Sequence, residues 1–238
     1  MFRLLCLYGF FLLFAQPVQA QPDARTFQNF FRDGTLVGKV YGDAGLGFSN
    51  FPVSRYVAVG GQIGIPIGAA FELGAGLNFL SRNPDNGDNT SGVSDLALTG
   101  RYRISRGQTS LSIGGGITLP IGDEDINENN VDVQIFGALR HSPNADLALT
   151  SVFGIDFLEQ PDNNHDTYLR LGGGAIYQST PRLQVVSELS VLAGADYALV
   201  SLGVDYLMNS GTRLRPGFAL GLDNRTPDFI IMLRFLFL

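Results

Sequence analysis

From Thr35 to the C-terminus, apolar side chains recur at every second position in one segment after another. That period of two is the mark of β-strands with one apolar face. Leu36, Val40, Ala44, Leu46 and Phe48 share a face, with Lys39, Tyr41 and Asp43 on the other. Val57, Val59, Ile63, Ile65 and Ile67 oppose Tyr56, Gln62 and Gly64, and Leu96, Leu98, Tyr102 and Ile104 oppose Asp95, Thr99, Arg101 and Arg103. Similar segments follow near 111–119, 131–141, 147–157, 166–178, 182–192, 197–207, 213–222 and 228–238, with another at 71–79. Each is close to the roughly 9–11 residues that a tilted strand needs to cross a bilayer.

A soluble β-sandwich also alternates, so the connections decide. Odd-numbered ones (49–54, 81–94, 122–130, 158–165, 193–196, 223–227) are mostly longer and rich in Asp and Asn, whereas even-numbered ones are tight turns of Gly, Pro, Asn and Ser. Long loops on one rim and short turns on the other describe an outer-membrane barrel with both termini in the periplasm. Aromatic residues support this placement. Tyr102, Tyr177, Tyr206, Phe235 and Phe237 fall near the turn rim, and Phe48, Phe79, Phe157 and Phe229 near the loop rim, as two interfacial belts would. The fold class read from the chain is therefore all-β: a transmembrane, antiparallel, up-and-down β-barrel of about twelve strands over 35–238.

Residues 1–20 carry Arg3, an apolar stretch from Leu4 to Ala15 and a small residue at Ala20, the pattern of a secretory signal peptide. Cleavage there removes Cys6, the only cysteine, and with it any disulfide or thiol chemistry. Residues 21–34 do not alternate. Phe27, Phe30 and Phe31 share a helical face, and Gly34 would end a short amphipathic helix in a left-handed conformation. Such a helix needs a surface, either the periplasmic membrane interface or the barrel mouth, unless the segment is a frayed leader.

Composition excludes other classes. The chain is 45% hydrophobic and 16% charged, against about 25% charged in soluble domains. Its formal net charge of −6 argues against nucleic acid as a partner. The expected partners are outer-membrane lipid, a small-molecule solute and, during insertion, the barrel-assembly machinery. The chain is expected to act as a monomer, without a cofactor or metal.

If the apolar face meets lipid, the opposite face lines a lumen. Arg101, Arg103, Arg140, Arg213, Arg215 and Arg234 lie toward the turns, and Asp95, Asp132, Asp156, Asp166 and Asp228 toward the loops. This sorting has two readings: a field along a pore, or internal ion pairs that stiffen the wall. Inward glycines such as Gly60, Gly64, Gly74, Gly114 and Gly174 imply that something approaches the wall closely, or that a small barrel needs to curve. Twelve strands fall between a filled interior and an open aqueous bore. With Tyr41, Phe136, Val152, Tyr168, Ile176, Val186, Leu199 and Met232 also inward, the wall suits small, partly hydrophobic molecules. The residues expected to contact solute are Tyr41, Glu72, Arg101, Phe136, Tyr168, Arg170 and Glu188.

Two stretches, Gly92-Val-Ser-Asp95-Leu-Ala-Leu-Thr-Gly-Arg-Tyr102-Arg and Ser112-Ile-Gly-Gly-Gly-Ile-Thr-Leu-Pro120-Ile-Gly-Asp123, resemble the outer-membrane family of meta-pathway phenol-degradation transporters. The chain departs from that family's pattern in reading Ile121 where Thr is common. The resemblance implies a small barrel that takes up aromatic or other hydrophobic compounds.

The expected function is thus an outer-membrane channel for passive uptake of such solutes. One alternative is a structural or adhesive barrel with a filled lumen and acidic outer loops; another is a lipid-modifying enzyme. Only His141 and His165 are available as catalytic bases, and neither stands in a recognisable nucleophile–base spacing, so the chain is read as no enzyme. Asp123-Glu-Asp125-Ile-Asn127 opens like a calcium loop, but position six is Glu128 rather than Gly and position twelve is Gln134 rather than Glu.

Overall fold

The computed structural model describes residues 34–123, 131–159, 165–209, 211–223 and 226–238. The expected helix at 21–33 lies outside them. Thirteen strand segments follow in order: β1 Tyr41–Phe51, β2 Ser54–Ile67, β3 Phe71–Pro84, β4 Thr90–Val93, β5 Leu96–Ser105, β6 Thr109–Leu119, β7 Asp132–His141, β8 Leu147–Glu159, β9 His165–Thr180, β10 Leu183–Ala193, β11 Tyr197–Asn209, β12 Thr212–Gly221 and β13 Phe229–Phe237. β4 and β5 both pair with β3 and form one crossing, broken at Ser94 and Asp95. Every neighbouring pair is antiparallel, and β1 closes on β13 from Gly42↔Phe237 to Asn50↔Phe229. The result is a closed barrel of twelve crossings of the outer-membrane type.

Closure matters because a strand edge in lipid would leave its N–H and C=O groups unbonded, at several kcal/mol each. The pleat then sorts side chains. Along β11, Leu199, Ser201, Gly203 and Asp205 are buried while Val200, Leu202 and Tyr206 are exposed. The exposed set in the barrel is apolar: Val57, Val59, Ile63 and Ile65 on β2, and Leu73, Leu77 and Phe79 on β3. Tyr102, Tyr177, Tyr206 and Phe237 are exposed near the turn rim. At the loop rim Phe229 packs on Phe48 and Phe218, with centroids 5.9 and 6.3 Å apart. Turns on the rim near Gly34 and Leu238 are short (68–70, 106–108, 142–146, 181–182, 210–211), and opposite loops span 120–131 and 222–228. The first loop, 52–53, is as tight as a turn because β1 and β2 run further than alternation alone indicates.

Ahead of β1 the structure departs from the sequence pattern. Strand pairing opens at Tyr41, not Thr35. Leu36, assigned to the lipid face, is 3% exposed, and Lys39, assigned to the lumen, stands exposed before the first strand. Alternation in 35–40 is coincidental: these residues form a strap inside the mouth at the turn rim. Val37 N–H donates to Glu72 Oε2 on β3 at 3.4 Å, and Val37 clusters with Tyr41 and Leu236. Gly34 rests on the far wall, where a Cβ would lie 2.6 Å from both Arg140 N on β7 and Ser110 O on β6. Around the barrel β7 is five strands from β1, so the strap crosses most of the mouth. Glycine at 34 allows this close approach, because a Cβ there would overlap the backbone of both strands.

Gly34→Val is therefore expected to lift the strap off β6 and β7 while the barrel still folds. Trypsin should cleave after Lys39 several-fold faster than in the parent, with unchanged heat-dependent gel migration. An unchanged cleavage rate would contradict the contact.

Candidate lumenal site

Among the described residues, buried ion pairs on the inner wall join neighbouring strands at four places. Glu72 on β3 faces Arg101 on β5 in register, and Arg101 Nη2 donates to Glu72 Oε1 at 2.7 Å. The Tyr41 hydroxyl donates to the same oxygen at 3.3 Å. Asp43 on β1 accepts from Arg234 Nε of β13 at 3.0 Å and from Gln62 Nε2 of β2 at 3.3 Å. Asp205 on β11 is shared: Arg213 Nη1 donates to Oδ1 and Arg215 Nε to Oδ2, both at 2.7 Å. Nearer the loops, Arg170 of β9 clasps Asp156 of β8 with Nε, at 3.0 Å, and Nη2. A cross-strand ladder produces this pattern because directly opposite or diagonal residues lie within side-chain reach.

Burial makes these pairs consequential. Asp205 and Arg215 have no exposed surface, and Glu72, Arg101 and Asp156 are almost as enclosed. Charges removed from water cost several kcal/mol each unless their partners are well placed. Between the pairs lie apolar clusters: Phe136, Ala138 and Val152 form one, and Ala148, Ile176 and Val186, with Met232 against them, form another. The inward glycines make room for neighbouring large side chains. A Cβ at Gly64 would fall 1.9 Å from the Tyr41 ring, and one at Gly114 would meet Phe136 at 2.7 Å.

All seven residues expected from sequence point inward, but they do not form one site. Tyr41, Glu72 and Arg101 join in a single network at the turn end. Arg170 belongs with Asp156 in the loop half, where Tyr168 is half-buried and donates to Asp166 at 2.9 Å. Phe136 sits in its apolar cluster, and Glu188 is buried on β10 opposite Gly174 and Ser201. The internal ion pairs that the sequence offered as one reading are present, and Asp43, Asp156, Asp205, Arg213, Arg215 and Arg234 belong to them, but which residue pairs with which was not named from sequence. For one pair the signal was available: Asp205 and Arg215 are equidistant from residue 210 in the tight β11–β12 turn. At the other end of the enzyme question, His141 Nδ1 is engaged with Thr109 Oγ1 at 2.9 Å, and the side chain of His165 is outside the described residues.

The two motif stretches meet at the loop rim. Gly122 N–H donates to Asp95 Oδ1 at 2.9 Å, and Val93 N–H to Asp123 Oδ2 at 2.6 Å. Asp123 N–H returns a bond to Val93 O at 2.9 Å, and a Cβ at Gly92 would strike the Asp123 carboxylate. The motif is thus a clasp holding the broken β4–β5 crossing to the end of β6. Asp125 and Asn127 lie outside the described residues.

A closed twelve-crossing barrel with a polar, ion-paired interior and an apolar outer band defines a protein of the outer-membrane barrel class. The chain belongs to the family described as "Putative MetA-pathway of phenol degradation", whose profile matches residues 16–167. Among solved structures it is similar to the COG4313 outer membrane channel from Pseudomonas putida F1, at 16% identity and a TM-score of 0.70, over 90% of this chain and 99% of that one. It is also similar to the KdgM porin in complex with disordered oligogalacturonate (12%, TM-score 0.60, 83% and 98%). A third is the Ralstonia pickettii toluene transporter TbuX (8%, TM-score 0.51, 86% and 90%). No curated protein sequence matches.

Glu72→Ala would leave Arg101 buried without its carboxylate and is expected to destabilise the barrel by about 3–5 kcal/mol. Replacing both with Leu and Met should recover most of that loss in urea titrations of the refolded protein. If the double variant were as unstable as the single one, the pair would not be coupled.

Proposed function

We propose that this protein is an outer-membrane channel for passive uptake of small, partly hydrophobic solutes. It works as a monomer with lipid as its outer partner and both chain ends in the periplasm. One observation carries the reading: Asp43, Glu72, Asp156 and Asp205 of the inner wall are paired locally with neighbouring arginines, and apolar clusters lie between these pairs. Local pairing offsets part of the wall's charge, while Phe136, Val152, Ile176, Val186 and Met232 offer contacts for an apolar body. The membership in its family and the likeness to a channel, a porin and a toluene transporter support the same reading. The leader-like residues 1–20 agree with export.

The competing reading, a structural barrel with a filled lumen, draws on the strap across the turn-end mouth and the full burial of Arg215, Asp205 and Leu236. Under the channel reading the strap is the part that yields during passage. Liposomes containing the protein are expected to swell several-fold faster than empty ones in phenol or benzyl alcohol, and not in a disaccharide. Deleting 34–38 should raise the rate further. Absence of swelling and of current across planar bilayers, from both the intact and strap-deleted proteins, would overturn the channel in favour of the filled barrel.

A further inference from the structure

The Arg213–Asp205–Arg215 group is incompletely satisfied. Arg215 spends Nε on Asp205, yet its Nη1 and Nη2 are buried and have no hydrogen-bond partner, and Arg213 Nε is in the same condition. Arg215 itself has no exposed surface. Buried guanidinium donors are costly to leave unbonded, so an unspent pair on a fully enclosed arginine calls for an acceptor. Arg213 and Arg215 share one carboxylate, that of Asp205.

The neighbouring wall indicates the ligand's shape. The register pairs Gly203↔Gly217 and Tyr206↔Leu214 bracket Asp205 and Arg215. One inward step toward the loops, Gly203 and Gly217 therefore present no side chain of their own. Val186 lies opposite Gly203 and Met232 opposite Gly217, and Met232 packs against the cluster of Ala148, Ile176 and Val186. An unspent guanidinium fork thus sits beside a short glycine step bordered by apolar walls.

We propose that Arg215 is the anchor of a carboxylate subsite inside the barrel, which takes small monocarboxylic acids with a flat apolar body. The two Nη groups receive the carboxylate as a fork, while the body lies toward Gly203, Gly217, Val186 and Met232. A planar guanidinium matches a carboxylate in a way that a lysine ammonium does not. The subsite narrows the solute class of the channel reading and rests on that reading for its role in uptake, but binding itself does not require conduction. Val37 of the strap packs on Leu236, which faces Arg213 in register, so entry from the turn rim displaces the strap.

The test is equilibrium titration of the purified, folded protein in detergent with benzoate and with neutral, isosteric benzamide. Benzoate is expected to bind saturably at one site, at least tenfold more tightly than benzamide. Arg215→Lys, which retains a cation beside Asp205, should weaken benzoate at least tenfold and leave benzamide unchanged, with heat-dependent gel migration confirming the fold. Absent benzoate binding, equal binding of the two probes, or unchanged benzoate affinity in Arg215→Lys would each overturn the subsite. The two-probe comparison needs no variant and stands if Arg215→Lys fails to fold. Benzoate binding without solute-driven swelling would sink the channel reading and leave the subsite standing.

Discussion

Closure of β1 on β13 is the constraint from which the rest of this structure follows. Nine register pairs join the first and last strands, and they convert an open sheet into a surface without edges. In hydrocarbon only such closure satisfies the backbone of a sheet. Once the sheet is closed, the pleat assigns every second side chain to lipid. The remainder must share an enclosed space that is too narrow for charges to be hydrated independently. Polar interior and apolar exterior are therefore two consequences of one hydrogen-bonding requirement.

Inside, the wall resolves its charge locally. Glu72 with Arg101, Asp156 with Arg170, Asp43 with Arg234, and Asp205 with two arginines are all neighbours on adjacent strands. Buried pairs of this kind contribute less to stability than they cost when broken. A slip of one strand by one residue would turn that strand's member of each pair to lipid. Of the two readings of the arginines gathered toward the turns, internal ion pairs describe Arg101, Arg213, Arg215 and Arg234, which share Glu72, Asp205 and Asp43 in the same half. Arg215, fully enclosed, keeps both Nη groups without a hydrogen-bond partner.

Alternation made the strands, their orientation and the inward set legible, because lipid on one side imposes a period that nothing else in the chain competes with. It misled at Leu36 and Lys39, where a two-residue rhythm continues by accident into a strap without strand pairing. The inward glycines were legible as places of close approach, but not as seats for Tyr41 and Phe136, since that depends on rotamers across strands. Pairing of Glu72 with Arg101 was hidden for a different reason. β3 and β5 are separated by the loop and β4, so no turn fixes their register from sequence, whereas the turn around residue 210 does so for Asp205 and Arg215. The two stretches that carry the family resemblance form a clasp between Asp95, Gly122, Val93 and Asp123.

The central claim is that one face of each crossing meets lipid and the other a packed, ion-paired interior. Spin labels placed singly at 199–204 on β11 in reconstituted bilayers test it directly, by collision with oxygen and with a water-soluble paramagnetic reagent. Oxygen accessibility is expected to alternate, high at Val200 and Leu202 and low at Leu199, Ser201 and Gly203, with the aqueous reagent excluded from all of them. High aqueous accessibility at Ser201 and Gly203 would mean an open, water-filled bore and would contradict the account.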